Sequence, residues 1–150
     1  LLKTMGTDVL HVGKLGSGQV VKIINNMILG VSVAVLSEAL VLGVKSGVDA
    51  DVLVEALQSG SADSFALRHH MKGYAMKDDL EGRFPVNYIM KDLSLALSTG
   101  EHNHVPLIFT AIAQQLYERA RASGWENLYY PVILRDLENL TGIKVRSKGA

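Results

Sequence analysis

Lys22 and Asn26 stand four residues apart near the head of a strongly apolar stretch, GSGQVVKIINN, residues 16 to 26. On a helix that spacing puts both side chains on one face. A lysine partly withdrawn from water there could pass a proton near neutral pH, with the Asn26 amide orienting a substrate or the ammonium itself. The same residues admit a plainer role, in which Lys22 snorkels to solvent while Asn25 and Asn26 satisfy loose backbone groups at the helix start. Gly16, Ser17 and Gly18 lie just ahead of them. Glycines at a helix entry let ligand atoms approach backbone N–H groups at the positive end of the helix, which suits an anionic substrate group. The triplet is not a dinucleotide fingerprint: Val21 replaces the third glycine, and no second strand or acidic ribose ligand comes about twenty residues on.

A second charged pair, Lys91 and Asp92, sits among Ile89, Met90, Leu93 and Leu95. Adjacent helical residues diverge by about 100°, so the pair is expected to form no mutual salt bridge, each charge needing its own partner. His69 with His70, and His102 with His104, lack the spacing of a helical ligand pair and have no cysteine nearby. They read as surface or capping histidines, and no metal is expected.

The elements that must position these groups are helical. From Gly18 to Lys45 apolar residues recur at three- and four-residue steps without a proline, and Gly47 comes next as a stop. Five further segments are predicted. Asp49 or Asp51 caps one over Val52–Gln58; another begins within Ser61–Ser64 and carries Phe65, Leu67 and Met71; a third covers Val86 to about Gly100. Pro106 and Gly124 bracket a fourth, and a fifth runs from about Pro131 to Leu140. The looser stretch Met76–Asn87 is the natural place for a functional loop. Asp8–Val12 reads as a short strand entering the glycine-rich turn. A lone strand cannot satisfy its own edges, so residues 1–17 are expected to be the remnant of a sheet element, and 18–150 a single all-α domain.

Composition narrows the function. Fifteen Lys and Arg balance fifteen Asp and Glu, so no net field favours nucleic acid. Lys144, Arg146 and Lys148 are the only basic cluster and read as a solvated, frayed tail. The absence of cysteine removes thiol nucleophiles and thiolate metal sites and fits a reducing, cytoplasmic setting. Glu38 falls inside the one apolar run long enough to cross a bilayer, so a buried central helix of a bundle or dimer is the simpler reading.

In order along the chain, HVGKLGSGQVVKIINN, SEALVLGVKSGVD and FPVNYIMKDLSLAL resemble the C-terminal half of the β-hydroxyacid dehydrogenases. That group includes 3-hydroxyisobutyrate dehydrogenase and tartronate semialdehyde reductase, with phosphogluconate dehydrogenase more distant. The resemblance implies a catalytic lysine at Lys22, substrate contacts from Asn26, Gly16, Ser17 and Gly18, and a cofactor-cleft lysine at Lys91. It implies NAD or NADP, bound mainly by an N-terminal Rossmann domain outside these residues, a small β-hydroxy acid or semialdehyde as substrate, and a homodimer or higher homo-oligomer. An isolated fragment is then expected to be inactive. The rival reading is a non-catalytic helical dimerisation or acidic-metabolite-binding module.

Overall fold

A computed structural model describes residues 9–148. The chain is built around one long helix, α1 (Ser17–Lys45), with α2 (Ala50–Ser59), α3 (Val86–His102), α4 (Ile108–Ala122) and α5 (Ile133–Thr141) packed about it. A π-helix, Ala66–Lys72, and short 3₁₀ turns at Ala75–Lys77 and Tyr130–Val132 complete the order. The all-α expectation holds, since no strand occurs among the described residues.

Val33, Ala34, Leu36, Leu40 and Val41 of α1 enter a core with Leu67 and Met71 from the π-helix, Ile89 and Leu93 from α3, Tyr117 from α4 and Leu134 from α5. Gly30 sets the approach of α1 to α3: a Cβ there would lie 3.2 Å from Leu93 Cδ2 and 3.3 Å from Ile89 Cδ1. The buried Tyr117 hydroxyl donates to the Gly30 carbonyl at 2.9 Å, which ties α4 to the same point.

α1 is long and apolar enough to span a bilayer by length and composition. Here one side of it is the core. The other leaves Ile24, Ile28 and Val35 exposed, as α4 leaves Ile108, Phe109 and Ile112.

Local chemistry explains most boundaries. Gly16 opens α1 at φ +93°, in the left-handed region that favours glycine. Asp49, not Asp51, caps α2, accepting from the backbone N–H groups of Asp51 and Val52. Ser64 Oγ accepts from Leu67 N–H, yet Ser61–Ser64 are non-helical and the helix expected to begin there is a π-helix that starts at Ala66. Arg68 grips Asp63 with two guanidinium nitrogens at its start. At its end, a Cβ on Gly73 would sit 2.3 Å from the His69 carbonyl oxygen, a backbone clash that only glycine avoids.

Two other expectations are corrected. Val9–Val12 form no strand, because no described residue pairs with them; Asp8 and residues 1–7 lie outside the described residues. Through Lys148 the tail is not frayed. Val145 is fully buried, and Glu138, 1% exposed, accepts from Val145 N–H and from Arg146. Arg146 also reaches Asp78, while Ser147 Oγ and Lys148 N–H donate to Asp51. A buried carboxylate that needed partners is what holds the basic cluster in place.

Candidate functional site

α1 and α3 bring the two charged motifs of the sequence together. Asn26 is buried, and its Nδ2 donates to Asp92 Oδ2 at 2.5 Å across 66 residues of chain. Its Oδ1 accepts from Asn25 Nδ2 at 3.1 Å. Lys91 Nζ folds back to 3.4 Å from Asp92 Oδ1, so the adjacent pair does form an ion pair. The flexible lysine stem reaches around the 100° that separates the two Cβ directions, which the expectation of separate partners had not allowed for. Lys91 is two-thirds exposed and Asp92 nearly buried, leaving the ammonium outermost.

Lys22, one turn before Asn26, is exposed. The partial withdrawal from water expected of it is not supplied by these residues. Gly16, Ser17 and Gly18 form the start of α1, which carries no side-chain cap and no acidic residue in its first turn. Ser17 N–H is taken by the Lys14 carbonyl and Gln19 N–H by that of Gly16, which leaves Gly18 N–H without a partner among the described residues.

Beside these groups lies a recess of about 220 Å³, lined by Lys22, Asn26, His70, Phe84, Tyr129 and Tyr130 among others. Its second wall comes from two loops stitched together. Tyr129 N–H donates to the Leu80 carbonyl, Tyr130 N–H to that of Phe84, and Val86 N–H to that of Leu128. The stretch expected to be looser thus supplies Phe84 and fixes both tyrosines. The π-helix supplies His70, which is 7% exposed and hydrogen-bonds through Nδ1 to the Tyr129 hydroxyl. This corrects the reading of His70 as a surface or capping residue. Burial, helped by the neighbouring His69, pushes its pKa down to about 4, so the ring is neutral at physiological pH. Burial likewise raises the Tyr129 phenol to about 12 and pushes Tyr130 higher still.

Sequence reasoning missed His70, Phe84, Tyr129 and Tyr130. No local pattern marked them; Asp92, a carboxylate on an apolar helix face that required a buried partner, pointed only to Asn26. Among the described residues no cluster of three His, Asp or Glu side chains could hold a metal ion. Lys22 and Lys91 on neighbouring helices, with Gly18 N–H at the head of α1, do fit one polar edge of a nicotinamide dinucleotide or an anionic substrate.

The helical arrangement matches part of solved 3-hydroxyisobutyrate dehydrogenases. It matches the Mycobacterium tuberculosis 3-hydroxyisobutyrate dehydrogenase solved with L-serine at TM-score 0.83 and 24% identity, over 91% of this chain and 48% of that one. That likeness shows the fold. The Salmonella typhimurium 3-hydroxyisobutyrate dehydrogenase matches at TM-score 0.75 and 25% identity, over 81% and 42% of the two chains. Residues 16–129 match the family described as NAD-binding of NADP-dependent 3-hydroxyisobutyrate dehydrogenase, and the chain belongs to that family. It is 39% identical over 145 residues to 2-(hydroxymethyl)glutarate dehydrogenase of Eubacterium barkeri, covering 97% of this chain and 48% of the relative. It is 37% identical over 123 residues to 3-hydroxyisobutyrate dehydrogenase of Pseudomonas aeruginosa, covering 78% and 41%. The chain thus spans about half the length of the curated relatives it matches.

Proposed function

We propose that this chain is the substrate-binding and subunit-contact part of an NAD(P)-dependent β-hydroxyacid dehydrogenase. The observation that carries the reading is the convergence of Lys22 and Asn26 on α1 with Lys91 and Asp92 on α3 beside one recess. When bound, the dinucleotide accepts the hydride from the hydroxyl-bearing carbon, or returns it in the reducing direction.

The chain's own residues handle the proton and the placement. Lys22 in its neutral form takes the hydroxyl proton during oxidation; as the ammonium it stabilises the developing oxyanion and returns that proton during reduction. Its exposure here means that the second half of the cleft must exclude water from it. Asn26, held by Asp92, presents a fixed amide to the substrate, and the first turn of α1 at Gly16–Gly18 receives the carboxylate. Lys91 adds positive potential at the cofactor edge. The adenosine end of the cofactor docks mainly on a partner domain outside these residues, even though the matched family is described by NAD binding. The apolar faces of α1 and α4 form the contact between two subunits.

The test is steady-state kinetics of the full-length enzyme. Lys22→Ala should lower kcat by roughly 10²–10⁴-fold, the size of a general acid–base contribution, with little change in cofactor affinity. A Lys22→Ala enzyme with near-normal kcat in both directions ends the assignment.

A further inference from the structure

α1 carries two apolar stripes, and the fold described above uses one. Asn26, Gly30, Val33, Leu36 and Leu40 turn inward. The other stripe runs from Val21 through Ile24, Ile28, Val31, Val35 and Glu38 to Leu42, at alternating steps of three and four residues. That is the seam of a coiled coil, held over three heptads. Its Val21, Ile24, Ile28, Val35 and Leu42 are 45–68% exposed, Leu42 the most. Two apolar hollows adjoin its first half. One of about 490 Å³ is lined by Val20, Ile24, Met27, Val105 and Leu107 among others, and one of about 290 Å³ by Ile28, Val31, Pro106 and Phe109 among others.

The seam faces away from the cleft. At about 100° per residue, Ile24 stands about 160° round the helix from Lys22, and Ile28 as far from Asn26. A cofactor-binding domain that closes over Lys22 and Asn26 therefore leaves the seam uncovered, and a self-complementary contact with a second copy covers it.

We propose that α1 pairs antiparallel with the α1 of a second copy of this chain, Ile24 meeting Leu42 of the copy, Ile28 meeting its Glu38 and Val31 its Val35. Glu38, the only carboxylate of α1, sets the direction. Parallel helices would put it against its own copy in an apolar seam, where like charges repel strongly. Antiparallel helices centred level with Val33 hold the two carboxylates about 15 Å apart, beyond a screening length of about 8 Å. Leu42 sets the register, because here the most exposed seam residue enters the larger hollow beside Ile24. Sliding the helices until Glu38 met Val21 would leave Leu42 bare. The inference rests on the dehydrogenase reading for where the cofactor-binding domain lies, and goes beyond the subunit contact proposed above in fixing which residues meet.

These residues include no cysteine, so introduced thiols report directly. The test uses the full-length enzyme with any cysteine outside them replaced. A chain carrying both Ile24→Cys and Leu42→Cys should form a covalent dimer on mild oxidation. Neither single variant should, because each thiol lies about 27 Å along the axis from its copy, and Glu38→Cys should not, at about 15 Å. Self-crosslinking of Glu38→Cys means parallel helices and overturns the proposal. An uncrosslinked double variant overturns it too, whether its thiols react with maleimide, as on a bare surface, or resist it, as under another domain. Sedimentation gives a second readout: Glu38→Leu completes the apolar seam and should tighten the dimer roughly tenfold, whereas unchanged or weaker association contradicts the pairing. Turnover is scored apart. A crosslinked dimer without hydride transfer sinks the dehydrogenase reading and leaves the pairing standing; an active enzyme whose double variant stays uncrosslinked does the reverse.

Discussion

His70 shows at the level of one residue how burial becomes a measurable property. Its pKa is lowered from 6.5 to about 4, first by desolvation and then by His69. Between those values the unfolded chain binds a proton that the folded chain refuses. Stability from this residue is therefore full above pH 6.5, falls as the pH drops toward 4, and changes no further below. Urea midpoints at about pH 7.5, 5.5 and 4.5 should decline more steeply for wild type than for His70→Phe; parallel declines would contradict the buried neutral ring. Asn26 carries a structural duty alongside its proposed catalytic one. Asn26→Ala leaves the buried Asp92 short of a donor and should destabilise the fold by ~1–3 kcal/mol in urea unfolding, so any change in KM must be read at matched folded fraction. The shared face of Lys22 and Asn26 was legible from their spacing, while the roles proposed for them came from the family resemblance. His70 and Tyr130 were not, because they stand far apart in the chain and only the folded loops bring them to one wall.

At the scale of elements, α1, α3 and α4 were legible in the apolar periodicity, and the cap of α2 in an aspartate before an apolar run. The π-helix had no such signal, since its side chains differ little from those of an α-helix and its register depends on what packs around it. Gly73 is its one local requirement. Gly73→Ala drives a Cβ into the His69 carbonyl, and because backbone cannot yield cheaply it should cost ~1–3 kcal/mol and displace His70. Unfolding midpoints, together with the near-UV spectrum of the surrounding tyrosines, will register both effects. An unchanged midpoint would mean that the turn reshapes freely.

For the whole molecule, the C-terminal segment acts as a clasp. Glu138 binds Val145 N–H and Arg146, Arg146 and Arg135 share Asp78, and Ser147 and Lys148 close onto Asp51 of α2. The sequence showed only three basic residues near the end, because a surface tail and a buried ion pair have the same composition. Glu138→Ala leaves Val145 N–H without its acceptor and Arg146 with only Asp78 and the Val145 carbonyl, and should cost ~1–3 kcal/mol in urea unfolding. The exposed apolar faces of α1 and α4 bear on assembly. Phe109→Glu should leave the fold intact and shift sedimentation toward monomer; a wild-type chain that is monomeric at micromolar concentration would remove the basis for the proposed subunit contact.

The π-helix also makes the recess sensitive to how the chain is wound as well as to the kinds of its residues. A π-turn holds one residue more than an α-turn. Deleting a single residue between Ala66 and His69 would be absorbed by a return to α-geometry, leaving the side chains after it near their present directions. The same seven residues wound as an α-helix would instead carry the side chains after them round by an angle on the order of 100°, and His70 would leave the wall although it remained in the sequence. Two relatives identical at Lys22, Asn26, Lys91, Asp92 and Tyr130 could thus differ at this wall through the winding of one segment, a change that no comparison of aligned residue types would reveal.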